Sequence, residues 1–457
     1  TSSASSKLIH GGLRYLEQKE FRLVREALAE REVLLAKAPH IIRPMRFIMP
    51  HRPHLRPAWL IRTGLFFYDH LGKRKKLSGS NNVYFKADSP LNAAITRGFE
   101  YSDCAVDDAR LVVLNAMHAR EKGAEIMTRT RCVSARREGS LWVVDLENVN
   151  GQFQIKAKAL VNAAGPWVAK FIQQDLQLQS PYGIRLIQGS HIIVPKLYDG
   201  EKAFIMQNDD RRIVFAIPYL DHYTMIGTTD REYQGDPAQV EITQDEIDYL
   251  LKVSNAHFKQ QLSQADIIST FSGVRPLCDD ESDNPSAVTR DYTLALSQQD
   301  DQATLLSVFG GKLTTYRKLA ESAMQQLKAF FPEMQESWTA TEALPGGENM
   351  ESVEQLMREI RAQVTDASED LVKRWASAYG SRIWNILGEK SSVEQLGQHF
   401  GQGLYAREVD YLCTAEWVTT SQDVLWRRSK LGLSFTQKES EALDAYLIVK
   451  THSNEAA

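Results

Sequence analysis

The chain has 457 residues, 43% of them hydrophobic, with 54 Lys and Arg against 58 Asp and Glu and a formal net charge of -4. That length holds two or three domains, each with its own core, and the slight acidic balance excludes a general nucleic-acid binder, which carries a basic excess to neutralise phosphates. Cys104, Cys132, Cys278 and Cys413 form no C-x-x-C pair, so neither a disulfide framework nor a metal site is expected and a reducing, cytosolic compartment fits; no apolar run approaches the roughly 20 residues of a membrane-spanning helix.

The first residues, "TSSASSKLIHGGLRYLE", concentrate small hydroxyls, Lys7, His10, Gly11-Gly12 and Arg14-Tyr15. Termini ordinarily fray and carry little function, so this density marks a loop with chemistry. From Leu13 to Lys37 the spacing of Leu16, Phe21, Val24, Leu28 and Leu35 predicts an amphipathic helix, closed by Pro39. Arg43 to Lys76 changes character, with nine Lys or Arg against one acid, Asp69, and Phe47, Trp59, Phe66, Phe67 and Tyr68 between them. "ARLVVLNAMHAREKGAEIMTRTRCVSARRE" predicts a helix ending at Gly123 and a short strand. "LWVVDLEN" and "FQIKAKALVNAAG" predict two further strands, the second stopping at Gly165-Pro166; alternation of strand and helix points to an α/β layer. Between Pro181 and Leu296 the pattern is β-rich, interrupted by a helix in "TQDEIDYLLKVSNAHF", which predicts a second, sheet-based domain. "LLSVFGGKLTTYRKLAESAMQQLKAFF" then predicts a strand, two glycines and a helix with Leu313, Tyr316, Ala320, Ala323 and Leu327 on one face. After "LPGG", Leu344 to Gly347, the remainder reads as a separate helical domain.

"SVFGGKLTTYRK" is the most informative motif. A buried strand over Leu305 to Phe309 leads into Gly310-Gly311, where the backbone approaches a neighbour, and the helix beyond turns free N–H groups and its positive dipole end the same way. An anionic or electron-rich ligand suits such a place; the alternative is a tight turn that merely requires glycine. Arg275 in "FSGVRPL" offers a planar fork of donors for carboxylate or phosphate, against a surface or ion-pairing role. His191 in "GSHIIV" precedes an apolar strand, where histidine is usually structural. His10 is the better candidate, since Gly11-Gly12 imply a close neighbour and Lys7 and Arg14 would recruit an anion. "ALVNAAGPWV" ends a strand in small residues, Asn162 to Gly165, against which a cofactor can lie. "GQGLYA", Gly401 to Ala406, matches G-x-G-x-x-A but follows no apolar strand, so a dinucleotide reading fails its context.

Together, "TSSASSKLIHGGLRYLE", "RGFEYSDCAVDDARLV", "VNAAGPWV", "SPYGIRLIQGSHIIVP", "FSGVRPLCDDESD" and "FGGKLTTYRKLAE" resemble the flavin-dependent glycerol-3-phosphate dehydrogenases of the respiratory bacterial type, in order from Thr1 into the C-terminal helical region. That group belongs with the flavin oxidoreductases that include D-amino-acid and glycine oxidases. The resemblance implies an α/β plus α+β fold: a Rossmann-like FAD-binding domain over 1–42, 98–180 and 300–332, a β-rich substrate domain of the D-amino-acid-oxidase type over 43–97 and 181–299, and a C-terminal helical domain over 340–457. In such proteins about forty residues, holding the first strand and the G-x-G-x-x-G turn, precede "TSSASS", so the resemblance is to an N-terminally truncated member with an incomplete flavin domain.

It further implies FAD lined by Thr1, Ser2, Ser5, Lys7 and Leu8, with Cys132 and Val133 near the adenine side and Gly165 near the pyrophosphate. Gly310, Gly311, Lys312, Leu313 and Thr314 would set a helix N-terminus at the flavin's pyrimidine edge, and no metal takes part. Arg14, Tyr15, Arg275 and Lys312 form the implied clamp on substrate phosphate, a group of roughly −1.5 to −2 charge. The implied reaction takes hydride from C2 of sn-glycerol 3-phosphate to flavin N5 and yields dihydroxyacetone phosphate. His10 is the first choice and His191 the second for the base, with Arg275 counted among the catalytic groups. Electrons would pass to membrane quinone. The basic stretch, nine positive charges against one negative, then suits an anionic bilayer, each charge contributing on the order of 1 kcal/mol, as a peripheral attachment at the inner face of the cell membrane; a solvated basic face is the alternative. An oxidase using dioxygen, an amine or amino-acid oxidase, and a non-catalytic fragment that has lost FAD binding are the competing readings, and a homodimer through the C-terminal helices is left open.

Overall fold

A computed structural model of the chain describes all residues except 1, 18, 73–74, 211, 280–290, 299–301 and 456–457; the side chains of 14 and 451–455 also lie outside the description. The first half runs β1 (Leu8–Ile9), α1 (Phe21–Lys37), β2 (Ile42–Pro50), α2 (Ala58–His70), β3 (Asn81–Tyr84), β4 (Arg97–Val106), α3 (Asp108–Glu121), β5 (Arg131–Glu138), β6 (Leu141–Asn148), β7 (Gly151–Ala157), β8 (Ala159–Asn162) and the three-residue α4 (Val168–Lys170). β9 (Ile184–Pro195), β10 (Ala203–Gln207), β11 (Ile213–Tyr219), β12 (Tyr223–Gly227), β13 (Arg231–Glu232), α5 (Gln244–His257), β14 (Ser269–Cys278), β15 (Tyr292–Ser297), β16 (Thr304–Gly310) and α6 (Tyr316–Leu327) follow. The C-terminal part holds α7 (Val353–Gln363), α8 (Glu369–Tyr379), α9 (Ile383–Leu387), the hairpin β17 (His399–Gly401) and β18 (Leu404–Tyr405), α10 (Ala406–Glu416) and α11 (Gln437–Glu455).

A ten-stranded mixed sheet in the order β1-β4-β2-β10-β11-β12-β9-β13, with β14 also on β9 and β3 on β4, forms the centre. Alternate side chains leave its opposite faces. Ile192, Val194, Met206, Val214 and Ile226 go under α5 with Leu250 and Phe258, whereas Phe47, Ile205 and Met225 face α1 and α2 through Val24, Leu28 and Leu65. Burying one such leucine contributes roughly 1.5–3 kcal/mol. β16 lies parallel to β8 and antiparallel to β15, and the antiparallel meander β5-β6-β7 stands apart as a third sheet. The C-terminal helices close on Trp375, Ile383, Leu404, Val409 and Leu443. They attach to α3 through a fully buried ion pair, Arg110 with Glu416, and through Arg120 stacked on Trp417 at 4.5 Å. The architecture is therefore the expected one, an α/β unit beside a β-rich sheet with a helical C-terminal part.

Two predicted elements differ. The helix expected from Leu13 starts at Phe21; Leu13–Leu16 is a separate 3-10 turn, and Lys19 at φ 60 breaks the run, since an L-residue in the left-handed region cannot continue an α-helix. The single strand expected through "FQIKAKALVNAAG" is two, β7 antiparallel on β6 and β8 parallel to β16. The basic stretch is also less basic than its own residues suggest, because Arg46 pairs with Glu100 at 3.1 Å and Arg56 with Glu17 at 2.7 Å, acids from outside it. Lys73 and Arg74 of that stretch lie outside the described residues. What remains outward on α2 is largely aromatic: Trp59, Phe66 and Phe67 are 68%, 54% and 46% exposed, and Phe67 meets Phe21 edge-on at 6.3 Å.

Candidate active site

β9 is the floor of the site, because its neighbours leave room only for particular side chains. Gly227 lies opposite His191 on β12 and Phe271 opposite it on β14. A Cβ at Gly227 would stand 2.2 Å from the imidazole, and Phe271 stacks on the ring at 4.6 Å and 8°. The ring is thus held flat between glycine and phenylalanine. Its Nε2 is 3.0 Å from Ser6 Oγ, and its Nδ1 is buried without a hydrogen-bond partner. Burial, reinforced by Arg275 and Lys7, pushes its pKa down to about 3, so the imidazole is neutral near pH 7.

Arg275 rises from β14 beside it. The guanidinium donates Nη2–H to Thr228 Oγ1 at 3.1 Å and Nη1–H to Asp230, and a Cβ at Gly189 would lie 2.6 Å from both Nη2 and Thr228 Oγ1. The fork is therefore fixed on three sides. Arg275 is still partly exposed, its side chain at 31%, which leaves a cationic edge for an incoming anion.

The N-terminal residues pack across this floor, with a Cβ at Gly273 only 2.9 Å from Ala4 Cβ. Ser5 donates through N and Oγ to Asp108 Oδ2 at 3.1 and 2.8 Å, and Lys7 Nζ to Asp108 Oδ1 at 2.7 Å. Asp108 is fully buried, so the Lys7 charge is neutralised inside the fold, and Leu8 enters the core with Val24 and Leu28. Lys7 also stands 5.2 Å over the Phe271 ring. Farther along, the His10 backbone and Thr314 Oγ1 approach to 3.4 Å, and Lys312 Nζ sits 4.3 Å over the Tyr15 ring. Gly310 and Gly311 have φ +77 and +103, and a Cβ at Gly310 would meet Asp291 O at 2.8 Å and stand 3.8 Å from Pro276 O, next to Arg275. Both glycines are needed for a close backbone approach. The helix after them does not abut the pair: α6 begins at Tyr316 with Thr315 as its N-cap, so Lys312, Leu313 and Thr314 form a non-helical link.

The structure thus brings Ser6, His191 and Arg275 together, joins Tyr15 to Lys312 and His10 to Thr314, and places Gly310 beside the Arg275 strand. Gly165, at φ +57 with nothing within 4 Å of a Cβ position, follows the exposed Ala163 and Ala164 in the turn that contacts β14 and β16. Ser2 lies in the short 3-10 turn Ser2–Ala4. Cys132 packs around Leu176 and Leu305, and no described contact joins it or Val133 to His191. Thr1 and the Arg14 side chain lie outside the described residues. Sequence reading missed Ser6, Thr228, Asp230 and Phe271; "GTTDRE", a strand ending in small hydroxyls and an acid, was the available signal for two of them. Chemically, a fixed, partly exposed guanidinium can hold a small anion, and the neutral imidazole beside it, with one buried and unpaired nitrogen, can accept a proton.

A model of FAD-dependent oxidoreductases matches residues 1–317, and one of the C-terminal domain of alpha-glycerophosphate oxidase matches 337–451. A glycerol-3-phosphate dehydrogenase of Pseudomonas tolaasii is 67% identical over 98% of this chain and 88% of its own length. A D-erythritol 1-phosphate dehydrogenase of Brucella abortus is 50% identical over 97% and 89%. The crystal structure of the glycerol-3-phosphate dehydrogenase from Bacillus halodurans complexed with FAD superposes with a TM-score of 0.72 at 24% identity, covering 98% of this chain and 86% of that one.

Proposed function

This chain belongs to the FAD-dependent oxidoreductase family, and from that premise we propose that it oxidises the C2 hydroxyl of sn-glycerol 3-phosphate to the ketone of dihydroxyacetone phosphate. FAD is its cofactor, and the residues present fit it. A shelf of small side chains, Ala163, Ala164 and Gly165, ends β8 with nothing standing within 4 Å of the Gly165 Cβ position. When bound, FAD accepts the two electrons and the hydrogen that leave C2.

The observation that carries the reading is the Arg275 fork held by Thr228 and Asp230 beside a neutral His191. Arg275, with Lys312 and Tyr15, grips the phosphate, a dianion that several cationic donors suit. His191 takes the C2 hydroxyl proton at its unpaired Nδ1; burial is the main cause of its low pKa, and the dianion offsets only the further lowering by Arg275 and Lys7. His10, the first choice from the sequence, becomes the second acceptor in this reading, on the loop that Thr314 holds. The similarity is greater to the glycerol-3-phosphate relative than to the erythritol phosphate one, 67% against 50%. A kcat/KM for sn-glycerol 3-phosphate above that for D-erythritol 1-phosphate supports the assignment, and the reverse order replaces the substrate.

Electrons pass on to a membrane quinone, with the protein peripheral at the inner face of the cell membrane. The aromatic outer face of α2 supports this, since buried aromatic area holds a protein at a bilayer more firmly than partly neutralised arginines do. No helix among the described residues is long and apolar enough to cross a membrane. Reduction of a quinone analogue without peroxide supports the quinone as acceptor; stoichiometric peroxide identifies an oxidase instead.

A further inference from the structure

Behind the site, on the opposite face of β9, one carboxylate collects more donors than its local role needs. Glu246 is in the first turn of α5 and forms a capping box with Thr243, its Oε2 accepting from Thr243 N at 2.9 Å and Thr243 Oγ1 at 3.1 Å. A capping box needs no more than that reciprocal exchange. Here the carboxylate is only 5% exposed and accepts three further hydrogen bonds: Gln188 Nε2 to Oε2 at 2.9 Å, Ser190 Oγ to Oε1 at 2.9 Å, and Thr229 Oγ1 to Oε1. No Lys or Arg is paired with it among the described residues, so these donors alone replace water around a buried carboxyl group, an arrangement that tolerates few substitutes.

The surplus partners are the neighbours of the functional residues. Strand alternation sends Gly189 and His191 toward the site and Gln188 and Ser190 toward Glu246. Thr229 lies between Thr228 and Asp230, the two residues that fix Arg275, and its Oγ1 also accepts from Ser190 N at 2.9 Å. Ser190 Oγ lies 2.9 Å from Ser272 Oγ on β14, the strand that carries both Phe271 and Arg275. We propose that Glu246 is a positioning residue: from the rear of the sheet it locks the His191 strand, the Thr228–Asp230 segment and β14 into one register, so that the proton acceptor and the phosphate grip keep a fixed separation. The inference rests on the function proposed above.

The test compares holoenzymes of equal flavin content. Glu246→Ala and Thr229→Val, the second removing one hydroxyl while keeping shape, each raise KM for sn-glycerol 3-phosphate about tenfold, lower kcat as well, and weaken dihydroxyacetone phosphate binding by calorimetry about tenfold, less than the roughly hundredfold that a full ångström of misplacement can cost. Glu246→Gln, which keeps the shape and one acceptor oxygen, recovers part of the loss. Thr243→Ala removes only the cap hydroxyl and lowers Tm while leaving kcat, KM and product affinity within twofold. If Glu246→Ala and Thr229→Val behave as Thr243→Ala does, losing Tm alone, the carboxylate is only a helix cap and the proposal is overturned. If the wild-type holoenzyme itself oxidises neither sn-glycerol 3-phosphate nor D-erythritol 1-phosphate, the functional reading fails first and this proposal with it.

Discussion

Gly189→Ala probes the site with a single methyl group. The added Cβ would stand 2.6 Å from both Arg275 Nη2 and Thr228 Oγ1, where ordinary contact begins at 3.4 Å, so those atoms must retreat by about 0.8 Å. The Nη2 to Thr228 hydrogen bond is 3.1 Å long and does not survive such a shift; losing one hydrogen bond to a charged group costs about 1.5–3 kcal/mol, or roughly 10- to 150-fold in grip. Overpacking itself costs about 1–3 kcal/mol, so Tm falls by only a few degrees. Steady-state kinetics of the holoenzyme on sn-glycerol 3-phosphate should show kcat/KM down at least about tenfold, mostly through KM. Gly64→Ala is the control, because nothing lies within 4 Å of a Cβ there and alanine favours its helix. A Gly189→Ala enzyme within twofold of wild type would refute the idea that Arg275 is fixed for substrate rather than merely tethered.

Burial holds both His191 and His40 down to about 3, well below the roughly 6.5 of the unfolded chain. Between those limits the unfolded chain binds protons that the folded one refuses, so stability rises with pH and is lost as pH falls from about 6.5 toward 3. Each group contributes about 3 kcal/mol less at about pH 4.5 than at neutrality; urea unfolding should show the decline, His40→Leu should flatten it, and a flat profile in the wild type would contradict the neutral, buried state. Glu416→Ala leaves Arg110 buried without its partner and should cost about 3–5 kcal/mol, measured by urea unfolding with the C-terminal helices detaching first; a change under about 1 kcal/mol would mean that the pair does not fasten them. Phe66→Ser with Phe67→Ser should lower partition onto anionic vesicles at least about tenfold, since each ring offers roughly 1–2 kcal/mol of apolar burial, and unchanged flotation would remove the α2 face from the membrane account.

Elements with strong local signals were legible, and pairings between distant segments were not. Gly310-Gly311 after an apolar strand and the helix of "TQDEIDYLLKVSNAHF" depend on neighbours in sequence, and both stand where the residues place them. The break at Lys19 escaped because hydrophobic spacing reports which faces are apolar and is blind to one left-handed residue within a run. β7 and β8 merged in the reading because strand propensity does not say which sheet a segment joins; Trp142 to Asn148 on one side and Thr304 to Ser307 on the other decide that. The same limit hid much of the site. Ser6 and His191 are 185 residues apart, and Ser190 and Glu246 are 56 apart, so no spacing rule joins them, whereas Arg275 was visible because its chemistry is its own. The charge of the basic stretch was overstated for the same reason, since Glu17 and Glu100 come from outside it.

The proposed activity requires a single encounter between a reducible flavin and a phosphorylated polyol at Arg275 and His191. Anaerobic addition of sn-glycerol 3-phosphate to the purified yellow protein, followed in the visible spectrum, measures it directly. The flavin band should bleach with one equivalent of dihydroxyacetone phosphate formed, and bleaching should require far more substrate after Arg275→Ala. A yellow protein whose band is unchanged by the substrate, or whose Arg275→Ala variant bleaches at the same concentration, would contradict it.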